Sequence, residues 1–258
     1  MHLYFGNTQI GTYGVIIAIG VVCANLVGLL WLRKHYGDNL EEFIILESYT
    51  ILGVFIGAKS LYLLICYRYI EWEKVLNAAY FNMLMKGGFV FYGGLIGGLI
   101  FLKLGGWIHK IPAEKYLRHY IALIPLVHAF GRIGCFEAGC CYGIPYTGIG
   151  AVIFPENSLA PSGISLFPIQ LVEAMLLFIL SLVLLFLEVS KKRKDIVEIY
   201  LIGYGTMRFF LEYLRYDEIR GKIGIFSTSQ WISIFLIIGG IIGAKIKGKR
   251  RWIWTQKS

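Results

Sequence analysis

Two stretches of this sequence contain the residue types that could do chemistry. The first, HAFGRIGCFEAGCCYG, spans residues 128–143, follows an apolar run, and combines Arg132 with three cysteines and four glycines. The second lies in residues 204–215 and has polar residues spaced by four, four and three: Tyr204, Arg208, Glu212 and Arg215. On a helix this spacing predicts one shared face. Guanidinium groups stay charged and match the oxygens of a phosphate, so both stretches indicate an anion site.

The second stretch also predicts its own ion pairs. Glu212 is spaced to pair with Arg208 before it and with Arg215 after it, which leaves one net positive charge. Such a set favours phosphate binding, but it is equally typical of an ion-pair ladder that stabilises a helix at the membrane edge. From spacing alone the two interpretations are balanced.

Arg132 is the natural second arm of such a site. The glycines that follow it allow backbone N–H groups to approach an anion closely. If Arg132 faced Arg208, the two side chains would form a phosphate clamp. The alternative is an arginine at a helix end that reaches for lipid headgroups.

The cysteines of the first stretch are Cys135, Cys140 and Cys141, and His128 is nearby. The spacing Cys-x4-Cys-Cys is unusual for zinc, and adjacent cysteines rarely both bind one ion. A disulfide is compatible with a loop outside the cell. Free thiols lining a pocket are the favoured interpretation, so the sequence predicts no metal and no cofactor. Two further cysteines, Cys23 and Cys66, sit in apolar runs and are expected to pack.

The composition predicts a membrane protein. Of 258 residues, 57% are hydrophobic and 16% are charged, whereas soluble domains have about 25% charged residues. The apolar residues form blocks of about 20, enough to cross a bilayer. We therefore expect an all-α integral membrane protein, a single polytopic domain over residues 1–258. Its seven predicted transmembrane helices are 10–32, 43–66, 87–104, 119–134, 168–188, 196–215 and 229–246.

The distribution of basic residues predicts the orientation. With seven spans, sixteen Lys and Arg residues fall on one side of the membrane and six on the other. The positive side faces the cytoplasm, so the N-terminus is predicted outside and the C-terminus inside. The net charge of +9 then reflects topology and anionic lipids, not nucleic acid. The Gly/Pro-rich loop 135–167, with Glu137 and Glu156 as its charges, faces outward and suits lipid entry.

Two features inside the predicted spans remain. Lys59 is a charged residue inside a predicted span, with Glu47 or Glu173 as possible ion-pair partners. A structural role and a functional role are equally compatible with its position. Residues 91–98 contain two overlapping Gly-x-x-x-Gly pairs, 93/97 and 94/98, which favour tight helix packing. Tyr92, at the start of this segment, is expected to face a cavity.

Several separated motifs in order resemble one family. They are Tyr13-Gly14, the segment Gly87–Leu95, Gly131-Arg-Ile-Gly134 with Gly139 and Tyr142-Gly143, Pro168-Ile-Gln170-Leu-Val-Glu173, and Gly203-Tyr-Gly-Thr-Met-Arg208 with Glu212 and Arg215. Together they resemble the bacterial prolipoprotein diacylglyceryl transferases from about residue 10 to residue 246.

The resemblance implies a function. This family moves a diacylglyceryl group from phosphatidylglycerol to the lipobox cysteine of a preprolipoprotein signal peptide, and glycerol phosphate leaves. The expected place is the bacterial plasma membrane, with an active site open to the outer leaflet and membrane lipids around it. By resemblance Arg132, Arg208, Glu212 and Tyr92 would be catalytic. The substrate-binding set would comprise Tyr13, Gly94, Arg132, Gly143, Gln170, Arg208 and Arg215.

This chain departs from the common family pattern at four positions: Tyr92, Cys135, Cys140 and Phe167. Tyr92 replaces a histidine that is a proposed base for the thiol, and a phenol of ordinary pKa about 10 serves best as a hydrogen-bond donor. Glu137, Glu212 and His128 stand as alternative bases. A different acceptor with the same donor is the first alternative function. A lipid or anion transporter is the second, although the internal repeats typical of transporters are not evident.

Overall fold

Helices form most of the chain. The computed structural model describes residues 2–5, 8–216 and 221–255. The helices are α1 (Thr12–Val27), α2 (Arg33–Tyr36), α3 (Leu40–Ile65), α4 (Ala78–Lys86), α5 (Phe91–His109), α6 (Ala113–Tyr120), α7 (Leu123–Ala138), α8 (Ile169–Val189), α9 (Ile196–Leu211) and α10 (Thr228–Thr255). A π-helical turn, Gly28–Leu32, joins α1 to α2. Short 3-10 turns occupy Tyr67–Tyr69, Trp72–Lys74 and Glu212–Leu214.

Three small antiparallel ribbons accompany the helices in the described part of the chain. They pair β1 (His2–Phe5) with β2 (Thr8–Gly11), β3 (Val152–Ile153) with β4 (Ser165–Leu166), and β5 (Lys222–Ile223) with β6 (Phe226–Ser227). In the middle ribbon Val152 is opposite Leu166. The prediction of an all-α architecture is confirmed for the membrane helices, while these ribbons were not foreseen because two to four residues are too short to show an alternating pattern.

Five helical segments among the described residues are long and apolar enough to cross a membrane: Thr12–Tyr36, Leu40–Ile65, Phe91–His109, Ile169–Val189 and Thr228–Lys247. A sixth candidate is α6 with α7, a pair bent by 57°. Pro125 lies in the first turn of α7, where its missing N–H leaves no helical bond unmade. The structure thus supports a helical membrane protein with five or six candidate spans.

The predicted span 196–215 is the one that falls short. Its counterpart, α9, has 16 residues, and the 3-10 turn Glu212–Leu214 follows it. A straight span needs about 20 residues. The count of seven spans and the orientation of the termini therefore stay predictions.

The described chain forms two compact units, one of residues 36–117 and one of residues 1–35 with 118–258. In the smaller unit, α3 and α5 pack through glycines: a Cβ on Gly57 would lie 2.8 Å from the Cα of Gly97. This confirms tight helix packing for the Gly-x-x-x-Gly pairs. The prediction of a single domain remains a prediction.

Lys59 has a structural role in the smaller unit. Its ammonium group donates to the carbonyl oxygens of Leu84 and Gly87, at 2.5 Å each, and lies over the rings of Tyr62 and Phe89. These carbonyls lie at the C-terminal end of α4, where unpaired carbonyl oxygens attract cations. Lys59 therefore caps α4 with backbone carbonyls as its partners, instead of the carboxylates that were expected.

In the larger unit α7 packs against both α1 and α8, α8 against α9, and α9 against α10. A small apolar core joins the three middle helices, formed by Ala129, Ala174 and Leu177 with Ile133, Phe178, Tyr204 and Met207 packed on it. Arg132, Glu173 and Arg208 each stand within four residues of a member of this core. The core therefore fixes the directions from which their side chains meet.

Candidate active site

Arg132 of α7 and Arg208 of α9 meet at one carboxylate. Oε2 of Glu173, on α8, lies 2.7 Å from Nη2 of Arg132 and 3.4 Å from Nη1 of Arg208. Arg132 is 9% exposed, Arg208 6% and Glu173 1%. The two arginines of the predicted clamp are thus brought together, on separate helices and away from water.

Glu173 was absent from the predicted site residues. The sequence did contain a signal, because Glu173 is an acid inside an apolar span, where a charge costs roughly 3 kcal/mol and needs a partner. As a possible partner Glu173 was assigned to Lys59. Buried arginines need counter-charges as well, so Glu173 is equally a candidate partner for Arg132 and Arg208.

Arg208 has two further partners. Its Nη2 lies 2.9 Å from Oε2 of Glu212 and 3.3 Å from the Oγ of Ser229, on α10. The i, i+4 pair that was predicted between Arg208 and Glu212 is confirmed. Arg208 is therefore held by Glu173 on one side and by Glu212 and Ser229 on the other, which fixes the orientation of its guanidinium group.

The predicted helical face is wrong at its last position. α9 ends at Leu211, and Arg215 has an extended backbone with φ −94° and ψ 147°. Instead of continuing the helix, Arg215 pairs in an antiparallel bridge with Gly143. The donors next to it, the N–H groups of Ile144 and Tyr216, bind the carbonyls of Leu214 and Tyr142. The bridge ties the end of the second motif to the end of the first.

The site carries an excess of positive charge and an unused donor. Three arginines, 132, 208 and 215, accompany two carboxylates, Glu173 and Glu212, which leaves one net positive charge. Nε of Arg132 is buried and has no hydrogen-bond partner in the described part of the chain. A buried donor without a partner costs about 1–3 kcal/mol. An anion that accepts from this group would recover that free energy.

The loop after Arg132 begins later than predicted. α7 continues to Ala138, so Cys135 and Glu137 belong to its last turn, and the loop starts at Gly139 instead of residue 135. Gly139 ends the helix in the left-handed region at φ +69°. Its N–H donates to the carbonyl of Phe136, and the N–H of Cys140 to that of Cys135. This is the usual way in which a glycine closes a helix C-terminus.

The three cysteines of the first motif converge. All are free thiols, and the Sγ atoms of Cys135, Cys140 and Cys141 lie within 4.8 Å of one another. Cys141 has φ +57°, a left-handed conformation that is uncommon for a residue with a side chain. Nη1 of Arg132 lies 3.9 Å from the Sγ of Cys135. The thiol cluster is therefore adjacent to the arginine pair.

Gln170 and Gly143 shape the loop. Gln170, at the start of α8, is fully buried, and its Nε2 donates to the carbonyl oxygen of Cys140 at 2.8 Å. A Cβ on Gly143 would collide with the carbonyl oxygen of Phe167 and lie 3.1 Å from that of Leu214. Both residues hold the loop in place, and their predicted part in substrate binding stays a prediction.

Tyr13, another residue of the predicted substrate-binding set, packs beside the first motif. It lies in the first turn of α1 and is 43% exposed. Its ring packs on Gly134 of α7, where a Cβ would approach the ring to 2.8 Å. One turn of α7 thus presents Cys135 and Arg132 beside an accessible aromatic ring.

The alternative bases occupy different surroundings. The ring of His128, on α7, lies 5.6 Å from the ring of Tyr204 on α9. Glu137 is exposed in the last turn of α7, and Glu212 is paired with Arg208. These positions do not single out one of the three as a base.

Tyr92 and Gly94 lie in the smaller unit. Tyr92 is half-buried in the first turn of α5, with its ring edge-on to Phe91 at 5.6 Å. Gly94 is buried against Val54 and Ala58, where a Cβ would lie 3.3 Å from the nearest atom of Val54. For Gly94 these contacts indicate helix packing. The substrate roles of both residues stay predictions.

Sequence comparisons agree with the motifs. Residues 1–246 match the family described as "LGT: Prolipoprotein diacylglyceryl transferase". A relative from Clostridium perfringens, named phosphatidylglycerol–prolipoprotein diacylglyceryl transferase 2, is 36% identical over 94% of both chains. Two further relatives are named phosphatidylglycerol–prolipoprotein diacylglyceryl transferase. The one from Clostridium tetani is 36% identical over 89% of this chain and 90% of its own. The one from Bordetella avium is 30% identical over 93% of this chain and 91% of its own. The resemblance seen in the motifs is confirmed.

Proposed function

The chain belongs to the prolipoprotein diacylglyceryl transferase family, and we propose that it transfers the diacylglyceryl group of phosphatidylglycerol to a lipobox cysteine thiol. The relatives named above carry phosphatidylglycerol and prolipoprotein in their names. Their matches cover 94% and 89% of this chain, and the match to the family, residues 1–246, includes both arginine motifs. The donor is therefore an anionic phospholipid, and the acceptor is the thiol of a preprolipoprotein signal peptide.

The observation that carries this proposal is the buried pair of arginines that share Glu173. In the reaction the thiol sulfur forms a bond to a glyceryl carbon, and the bond from that carbon to the phosphate oxygen breaks. The electron pair leaves with the phosphate, so negative charge grows on the departing glycerol phosphate. Fixed guanidinium donors in a site with little water stabilise such charge better than mobile ones do. In this proposal Arg132 and Arg208 bind that phosphate.

The surrounding residues position this clamp. Glu173 keeps the two like-charged guanidinium groups close together, and Glu212 with Ser229 fixes Arg208. When phosphate binds, the unused Nε of Arg132 gains an acceptor. Arg215 adds a third positive charge at the end of the motif. Tyr13 lies beside the clamp and lines the lipid path. For Tyr92 the family resemblance implies a hydrogen bond to the acceptor.

The membrane arrangement follows from the same proposal. Seven spans with the N-terminus outside would place the loop 139–168 at the outer face of the bacterial plasma membrane. That loop is poor in charge, and exposed apolar side chains, including Ile149, Ile153 and Leu159, extend from it. Such a surface favours contact with lipid over contact with water. We therefore propose that phosphatidylglycerol enters from the outer leaflet.

A reconstitution assay tests this function. Purified protein is mixed with phosphatidylglycerol and a lipobox peptide, and the products are identified by mass spectrometry. We expect a peptide carrying a diacylglyceryl thioether and one glycerol phosphate for each peptide modified. A peptide with serine in place of the lipobox cysteine is the matched control and should stay unmodified. Transfer to another acceptor, with none to the lipobox peptide, would contradict the proposed acceptor while leaving the donor intact.

A further inference from the structure

The three thiols beside Arg132 have no part in the function described so far. Their Sγ atoms lie within 4.8 Å of one another, whereas three sulfurs on one tetrahedral zinc ion, with Zn–S about 2.3 Å, stand about 3.8 Å apart. Side-chain rotations that bring the Sγ atoms closer together by about 1 Å therefore suffice to place all three on one ion. Two features of the sequence disfavoured zinc: the unusual Cys-x4-Cys-Cys spacing and the rarity with which adjacent cysteines bind one ion.

The backbone removes that objection. In extended chain, neighbouring side chains point in opposite directions, but Cys141 has φ +57° and turns the chain back. Backbone strain of this kind costs about 1–3 kcal/mol and persists where the surroundings impose it. Here the surroundings are the bond from Gln170 to the Cys140 carbonyl and the close packing of Gly143. The loop is thus held in a form that gathers the thiols.

Charge and exposure fit a zinc ion with an open position. Three thiolates and Zn²⁺ together carry one negative charge, and a cationic group lies beside them, because Nη1 of Arg132 is 3.9 Å from the Sγ of Cys135. Cys135 is buried, but Cys140 and Cys141 are half-buried, so one side of the cluster remains accessible. Zinc sites with three protein ligands and one open position are typically catalytic, while structural sites are closed by four.

We propose that Cys135, Cys140 and Cys141 bind a zinc ion whose fourth ligand is the acceptor thiol of the lipobox peptide. This inference rests on the proposed function, because it assigns the activation of its thiol substrate. A thiol that binds zinc loses its proton, and the proton passes to the solvent. The zinc-bound thiolate sulfur then forms the bond to the glyceryl carbon, and the C–O electron pair leaves with the phosphate held by Arg132 and Arg208.

The thiol cluster lies next to the arginine pair, as transfer to a zinc-bound thiol requires. The nucleophilic sulfur must approach a carbon that is one bond from the phosphate oxygen, so the thiol site and the phosphate site have to be neighbours. Arg132 contacts both Glu173, at the centre of the clamp, and Cys135, at the edge of the thiol cluster. The thioether product is a much weaker zinc ligand than a thiolate, which favours its release.

Metal content provides the first test. Full-length protein is purified in detergent, equilibrated with ZnCl2, passed through a desalting column, and analysed by inductively coupled plasma mass spectrometry. We expect about one zinc per chain in the wild type and in Cys66→Ser, the matched control. Cys135→Ser, Cys140→Ser and Cys141→Ser should each lose most of it. The inference is overturned if the wild type binds no zinc, or if the variant with all three cysteines replaced by serine keeps it. A disulfide between two of these cysteines in the zinc-free wild type would also overturn it.

The second test asks whether the substrate thiol binds the metal. Replacement of zinc with Cd²⁺ gives a sulfur-to-cadmium absorption band, which should strengthen when the cysteine lipobox peptide is added and stay constant with its serine version. Zinc removal from the wild type by a chelator should reduce transfer at least tenfold, and added zinc should restore it. Because this arm uses the wild type, misfolded variants do not affect it.

The outcomes separate the two proposals. If zinc-loaded wild type binds the metal through the cluster but performs no lipobox transfer, the proposed function is wrong and the metal site stands. If metal-free protein transfers at the full rate, the function stands and the zinc inference is overturned. Binding of phosphatidylglycerol vesicles by the cysteine variants, expected at wild-type level, confirms that those variants are folded.

Discussion

Oε2 of Glu173 lies 2.7 Å from Nη2 of Arg132, with the carboxylate side chain 1% exposed and the guanidinium side chain 10% exposed. This ion pair joins α7 to α8, and Arg208 of α9 shares the same oxygen at 3.4 Å. One carboxylate thus holds two positive charges at a distance that they would not adopt alone. The orientation of both guanidinium groups depends on this arrangement.

The first prediction concerns that carboxylate. Glu173→Gln keeps the shape of the side chain but leaves two buried guanidinium groups without their shared counter-charge. Loss of one partner from a buried ion pair typically costs about 3–5 kcal/mol. We expect a clear fall in the thermal unfolding temperature of the detergent-solubilised protein. Glu156→Gln, at an exposed position of the loop, is the control and should leave it unchanged. Equal unfolding temperatures for both variants would show that Glu173 does not stabilise the clamp.

The second prediction separates the charge of Arg208 from its shape. Arg208→Lys keeps the positive charge but loses the planar fork that contacts Glu173, Glu212 and Ser229. Loss of one donor that stabilises transition-state charge lowers turnover by about 10²–10³. We expect a fall in kcat of this order. Arg193→Lys, an exposed arginine paired with Asp195, should transfer at the wild-type rate. Full activity in Arg208→Lys would mean that charge alone suffices.

The third prediction tests the loop that joins the two motifs. Gly143→Ala places a methyl group against the carbonyl oxygens of Phe167 and Leu214, so the loop has to move. Overpacking of this kind costs about 1–3 kcal/mol, and the shift should also weaken transfer. Gly131→Ala is the matched control for stability, because no described atom lies within 4 Å of its added methyl group. Unfolding temperatures of the two variants should differ by several degrees, and identical values would remove the loop from the account.

The fourth prediction concerns the smaller unit. Gly57→Ala would bring a methyl group 2.8 Å from the Cα of Gly97 and force α3 and α5 apart. We expect destabilisation of about 1–3 kcal/mol, measured as a lower unfolding temperature or as faster proteolysis of residues 36–117. Gly239→Ala, on α10 with no described atom within 4 Å, should be neutral. A neutral Gly57→Ala would argue against close packing of these helices.

The fifth prediction addresses Tyr92. If its hydroxyl donates one hydrogen bond to the acceptor, Tyr92→Phe should lower kcat by about tenfold at most, the equivalent of about 1.5 kcal/mol. Measurement of kcat and KM for the lipobox peptide at fixed phosphatidylglycerol gives this value directly. A loss of a thousandfold or more would instead make Tyr92 essential to the proton transfer, and would weaken the case for zinc as the group that activates the thiol.

The sequence indicated which charged residues meet more clearly than it indicated how they are held. Arg132 and Arg208 stood out because charged residues in apolar spans require partners, and Glu212 because of its spacing to Arg208. The structure brings all three together. Glu173 carries a signal of its own as an acid in an apolar span, but which buried cation it pairs with cannot be inferred from spacing on one helix. Which face of α8 meets α7 and α9 is decided by packing around Ala174 and Leu177.

The helices were also easier to predict than their ends. Apolar blocks indicated where helices lie, but α7 runs past residue 134 to Ala138, and α9 ends at Leu211 before Arg215. Both ends depend on local backbone geometry. Gly139 and Cys141 adopt left-handed conformations, and for Cys141 no residue preference signals this. That single conformation is what brings adjacent thiols together, so their convergence was beyond the reach of spacing arguments.

The most direct test of the central claim is single-turnover transfer by Arg132→Ala and Arg208→Ala. Each variant is purified, checked for folding by its elution and unfolding temperature, and mixed with phosphatidylglycerol and the lipobox peptide. Arg193→Ala serves as the control. The clamp predicts that each of the two variants loses transfer by a factor of at least about 10², while Arg193→Ala retains the wild-type rate. Full transfer by both folded variants would contradict the assignment of Arg132 and Arg208 as the groups that bind the departing phosphate.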